Sequence, residues 1–152
     1  MKNGYNFVLS LMVVLFLFGC NKSQPAARIS MAEGSLSVEN LSNVDIYPIV
    51  KTRNEESFGI VSTGGGATVG FAQIDADKQA RVLWGEKKFN APKRTVAFPL
   101  KITEEVAKQT KHLEFLYKGN GVWLLNLYSS SPPGETKPLA SIGGEIVKEE
   151  VH

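Results

Sequence analysis

Few residues of this chain could do covalent or acid–base chemistry, and their spacing limits what they could do. There is one cysteine, Cys20, and there are two histidines, His112 and His152. A zinc site needs three or four clustered ligands, and one thiol with two separated imidazoles does not supply it, so no metal is expected. His112 and Glu114 stand two apart in "HLEF", which on a strand places both on one face and permits a His–carboxylate pair. The plainer reading is a surface pair near the start of a strand. No GxSxG elbow occurs, so acyl-transfer chemistry of the hydrolase type lacks its usual marker. The expectation is a protein that is not an enzyme and uses no cofactor. A hydrolase with an unrecognised site is the enzymatic alternative.

The other conspicuous stretch is "STGGGATVG". Gly64, Gly65 and Gly66 could form a backbone nest for an anion, or a loop shaped for the close approach of a protein partner. A P-loop would need Gly-Lys-Ser/Thr followed by a helix, whereas Ala67-Thr68-Val69 begins a strand pattern. The simpler reading is a turn with glycine at a φ > 0 position. Trp84 and Trp123 fall in strand patterns and read as core, with a carbohydrate platform as the alternative.

These residues must be positioned by strands. "SLSVENL" alternates, with Leu36, Val38 and Asn40 on one face. "VDIYPIVKT" carries Pro48, which cannot donate to a ladder, so that strand is an edge or is broken there. "ATVGFAQIDADKQARVLW" reads as a hairpin around the polar turn at Asp75–Lys78, and "RTVAFPL" alternates through Val96, Phe98 and Leu100. "TEEVAKQTKH" predicts the one helix, with Thr103 as N-cap and Glu104, Glu105 in the first turn. "HLEFLYKGNGVWLLNLYSS" predicts a hairpin around Gly119-Asn120-Gly121. The fold class is mainly β: a small antiparallel β-sandwich or open barrel with one short helix. Residues 35–131 form the β domain and residues 132–152 a last strand or a tail. The 17 Lys and Arg against 15 Asp and Glu include no block of either sign, so nucleic acid is not an indicated partner.

The N-terminus answers for the lone cysteine. Phe7–Phe18 holds twelve residues with only Ser10 polar, short of the ~20 a spanning helix needs and suited to a signal-peptide core. The run ends in Leu17-Phe18-Gly19-Cys20, which resembles the lipobox of bacterial lipoproteins. Phe18 is bulkier than the family's usual residue there. An ordinary signal peptide that leaves a free thiol, or a short uncleaved anchor, are the alternatives. A lone free thiol in an oxidising compartment invites intermolecular disulfides. The lipobox resemblance implies a signal peptide over 1–19, lipid on Cys20, and a flexible tether over 20–34. Asn21, in place of the Asp that retains such proteins in the inner membrane, implies outer-membrane attachment facing the periplasm.

The order "ENLSNVDIYPIVKT", "STGGGATVGF", "ARVLWGE", "TVAFPL" and a hydrophobic hairpin is similar to small lipoproteins of Gram-negative bacteria. These include immunity proteins against phospholipase effectors of type VI secretion. The resemblance implies a lipid-anchored periplasmic binding or protective module that occludes a protein partner, with a toxin as the specific case. An envelope assembly or structural lipoprotein is the alternative.

Overall fold

The computed structural model describes residues 28–30, 34–70, 73–75, 79–86, 94–130 and 137–147. Cys20 and His152 lie outside them, as do 1–19 and most of the expected tether. Twelve strands are present among the described residues: β1 (Arg28–Ser30), β2 (Ser35–Asn40), β3 (Ile49–Lys51), β4 (Glu55–Ser57), β5 (Gly66–Gly70), β6 (Gln73–Asp75), β7 (Gln79–Trp84), β8 (Arg94–Pro99), β9 (His112–Gly119), β10 (Val122–Tyr128), β11 (Ala140–Gly143) and β12 (Glu145–Val147). One helix, α1 (Glu104–Gln109), stands between β8 and β9, with the Thr103 hydroxyl accepting from the Val106 amide at 3.3 Å.

Two five-stranded sheets pack face to face as a small sandwich and do not close into a barrel. Their orders are β11-β10-β9-β2-β5 and β12-β8-β7-β3-β4. All pairs in the main sheets are antiparallel except β2 with β9, which run parallel. Alternation decides which side of each strand is buried. Leu36, Val38 and Asn40 of β2 point inward, as do Leu113, Phe115 and Tyr117 of β9 and Trp123, Leu125 and Leu127 of β10. Val82 and Trp84 of β7, and Val96 and Phe98 of β8, meet them from the second sheet. Rings interlock across the interface: Phe98 meets Phe115 edge-on at 5.3 Å, and Trp84 meets Trp123 edge-on at 5.6 Å. Each fully buried large apolar side chain contributes about 1.5–3 kcal/mol.

Several expectations change in three dimensions. The stretch 67–84 is not a hairpin. β5 pairs with β2 in one sheet, β7 pairs with β3 and β8 in the other, and β6 leaves to pair with β1. The expected turn at Asp75–Lys78 lies mostly outside the described residues, and local turn chemistry carries no signal for which ladder each strand joins. Pro48 interrupts its segment, leaving Ile46 as an isolated bridge before β3 starts at Ile49. β3 itself is central, between β4 and β7. Within 20–34, β1 pairs antiparallel with β6 and lies beside α1.

Within 132–152, the chain supplies an edge to both sheets: β11 pairs with β10, then β12 pairs with β8. Gly144 is the crossing point, its amide donating to the Trp123 carbonyl at 3.0 Å. A Cβ on Gly144 would sit 2.4 Å from Val96 Cγ2 and 3.0 Å from Phe98 Cε1, whereas one on neighbouring Gly143 meets nothing within 4 Å. Gly144→Ala therefore lowers stability by about 1–3 kcal/mol, the usual cost of overpacking. Gly143→Ala stays within about 0.5 kcal/mol. Urea titrations of the two variants check the contrast.

Candidate functional site

The polar chemistry of the described residues gathers on the outer face of the β2-containing sheet. The register that builds it is unusual in being half parallel. Ser35 pairs with His112 and Ser37 with Glu114 across the parallel β2–β9 ladder. Asn126 faces Glu114 and Tyr128 faces His112 across the β9–β10 hairpin. Ser141 of β11 and Thr68 of β5 extend the middle row. That row runs Ser141, Asn126, Glu114, Ser37, Thr68 across five strands, and every member carries a hydrogen-bonding group.

His112 is only 2% exposed. Its Nδ1 lies 2.6 Å from the Ser35 hydroxyl and its Nε2 lies 2.9 Å from the Ser37 hydroxyl. A neutral imidazole has one donor and one acceptor nitrogen, so one serine donates to the ring and the other accepts from it. Burial pushes the His112 pKa down, and the negative Glu114 opposes this in part. Glu114 Oε2 accepts from Asn126 Nδ2 at 2.9 Å and from the Tyr128 hydroxyl at 3.0 Å. Asn126 Oδ1 accepts in turn from Ser141 at 2.7 Å. Burial, followed by the Glu114 hydrogen bond and charge, raises the Tyr128 pKa, and burial together with Glu114 raises that of Glu39.

His112 and Glu114 do share a strand face, as alternation requires, but they are not the surface pair the sequence suggested. The imidazole is buried and bound to serines, and the carboxylate is held by Asn126 and Tyr128. A catalytic triad would need that carboxylate on the imidazole. Ser35 and Ser37 were not legible as partners of His112 because the parallel pairing joins segments more than seventy residues apart. Among the described residues no three His, Cys, Asp or Glu side chains gather as a metal site requires.

Gly64, Gly65 and Gly66 lie at the rim of the same sheet, with Gly66 opening β5 opposite Glu39. Gly64 adopts φ +68°, a conformation glycine takes without steric cost. Its amide donates to the Asn40 carbonyl at 2.8 Å, the Gly65 amide to the Ser62 carbonyl at 2.9 Å, and the Asn40 amide to the Gly65 carbonyl at 2.9 Å. Two of the three glycine amides are thus engaged inside the protein, which removes them from an anion nest. What the loop presents outward is its backbone surface. No known protein family, curated protein or solved structure matches this chain.

Asn40 holds the rim. It is fully buried, and all four side-chain valences are used: Nδ2 donates to the Val44 and Val61 carbonyls at 2.8 and 3.0 Å, and Oδ1 accepts from the Ser42 amide and hydroxyl at 3.0 and 2.7 Å. Asn40→Ala lowers stability by about 2–4 kcal/mol, from lost hydrogen bonds and the void. Asn40→Asp, which turns a carboxylate toward two carbonyls, costs at least as much. Chemical denaturation of both variants measures this.

The buried His112 makes stability depend on pH with a definite sign. Its pKa is lowered from 6.5 on folding, so below that pH the unfolded chain binds the proton first and stability falls on acidification. The fall levels off once pH passes below the folded value. Subtracting the stability–pH curve of His112→Gln from that of the wild type isolates this contribution. A flat difference between pH 5 and 7 would refute the assignment.

Proposed function

We propose that this chain is a lipid-anchored binding module of the bacterial envelope, without enzymatic activity. Residues 1–19 act as the signal peptide, Cys20 carries the lipid, and the β domain faces the periplasm from the outer membrane. The observation that carries this reading is the tetrapeptide Leu17-Phe18-Gly19-Cys20 at the end of a twelve-residue apolar run, with no other cysteine in the chain. Two lipid signals already give stable attachment, at ~0.8 kcal/mol per buried CH₂.

The mechanism is occlusion. A rigid sheet face with its Gly64–Gly66 rim covers a protein partner, and the specific version is immunity against a toxin that reaches the periplasm. The His112 imidazole is buried between two serine hydroxyls and Glu114 is held by Asn126 and Tyr128, a fixed polar face suited to binding. An envelope scaffold is the second reading. It is favoured by edge strand β12, whose three residues are all exposed and whose Ile146 is 61% exposed, an invitation to strand addition.

Cys20→Ser abolishes incorporation of labelled palmitate and leaves a heavier precursor; equal labelling of wild type and variant would sink the anchor. With Asn21 after the cysteine, fractionation places the wild type in the outer membrane. For the partner, the full-length chain in detergent is used to capture proteins from a periplasmic extract beside its Gly65→Ala variant. A Cβ at Gly65 lies 3.1 Å from the Ser62 carbonyl oxygen, so the rim shifts by a few tenths of an ångström. Weaker capture at an unchanged melting temperature supports occlusion through the rim. A deletion strain that survives toxin-delivering neighbours as well as its parent would remove the immunity version and leave the scaffold.

A further inference from the structure

The hairpin end of the sandwich holds a half-open cavity of about 360 Å³, lined among others by Leu41, Asn43, Val44, Glu86, Lys118 and Asn120. Its volume falls within the range of small-molecule sites, near the lower end. Its walls are fixed from behind. On one side the 41–44 turn is held by Asn40 and by the Ser42 hydroxyl, which donates to Asn40 Oδ1 at 2.7 Å. On the other side is the tip of the β9–β10 hairpin, whose Gly119, Asn120 and Gly121 all adopt positive φ.

The two charges in the lining differ in how they are placed. Glu86 is pinned. The hydroxyl of Tyr117, itself fully buried, donates to Glu86 Oε1 at 2.5 Å and accepts from the Gly121 amide at 3.3 Å. Burial, reinforced by Glu86, raises the Tyr117 pKa, so the phenol keeps its proton and continues to donate. Lys118 is exposed, and among the described residues its ammonium is in no ion pair. Leu41 stands beside it on the parallel ladder, the Leu41 amide donating to the Tyr117 carbonyl at 2.8 Å, and is 53% exposed. The lining thus offers a fixed carboxylate, an exposed ammonium, two carboxamides and two aliphatic side chains.

We propose that this cavity binds a small zwitterion of the α-amino-acid type. Glu86 takes the ligand's ammonium, Lys118 takes its carboxylate, and Leu41 with Val44 meets an aliphatic side chain. Prepositioned walls lower the ordering cost of binding, and charge-assisted hydrogen bonds at both ends supply selectivity. This site is separate from the sheet face assigned to a protein partner and does not depend on the lipid anchor.

The test is calorimetry on the full-length chain in detergent, with intrinsic fluorescence as a second readout. Trp84 packs 6.1 Å from Tyr117 and lies two residues from Glu86. The probes are leucine, N-acetyl-leucine and leucine amide. Leucine binds saturably, and each blocked form binds at least about tenfold more weakly, the equivalent of one lost charge contact. Glu86→Gln, which keeps an acceptor for Tyr117, weakens leucine about tenfold and leaves N-acetyl-leucine unchanged. Lys118→Met, at an exposed position, weakens leucine and leaves leucine amide unchanged. No saturable binding of leucine up to about 10 mM, the weak end of specific recognition, would overturn the proposal. So would equal binding of all three probes, or indifference to Lys118→Met.

Discussion

One buried carboxamide organises the end of the molecule that carries its recognisable features. Asn40 closes strand β2 on the core side, where an apolar residue would continue the pattern of Leu36 and Val38. An unpaired amide there would cost several kcal/mol. The structure offsets this by giving every donor and acceptor of the side chain a partner. Its main chain adds two more bonds, to Gly64 and Gly65. One residue therefore fixes the 41–44 turn, the chain at Val61 and the glycine rim relative to one another. The cavity wall and the proposed partner rim share this support.

The second constraint is the parallel pairing of β2 with β9. An antiparallel neighbour would have brought other residues opposite Ser35 and Ser37. The parallel register sets the two serines on either side of the His112 ring and aligns Glu114 with the polar row. The same pairing puts Leu41 next to Tyr117 and Lys118 at the cavity. Core and site are thus two sides of one ladder. Its inner face carries Leu113, Phe115 and Tyr117, and its outer face carries His112 and Glu114.

Tyr117 and the indoles show how the core meets the polar end. Tyr117 packs against Trp123 at 4.8 Å and against Trp84 at 6.1 Å, with its hydroxyl reaching out to Glu86. Among the described residues the Trp123 indole N–H has no acceptor, and that of Trp84 lies toward the Tyr117 hydroxyl. Ring packing in the sandwich core positions the two indoles, beside the main-chain bonds of their strands.

The sequence by itself determined the strand-rich class, the alternation within β2 and β8, the apolar runs of β9 and β10, the capped helix at Thr103 and the hairpin at Gly119–Gly121. Each is a local property: period two, a side-chain oxygen three residues before an amide, and a glycine–asparagine turn that tolerates positive φ. It also raised the expectation of a lipid on Cys20. Only the tertiary structure decided which strand joins which sheet, because the pairing partner of β5 or β7 is a long-range choice with no local signature. The same holds for β11 and β12, short strands that gain definition from bracing both sheets around Gly144. The surroundings of His112 and Glu86 were likewise beyond the sequence. Their partners, Ser35, Ser37 and Tyr117, lie 31 to 77 residues away along the chain and meet them only when the ladders are in register.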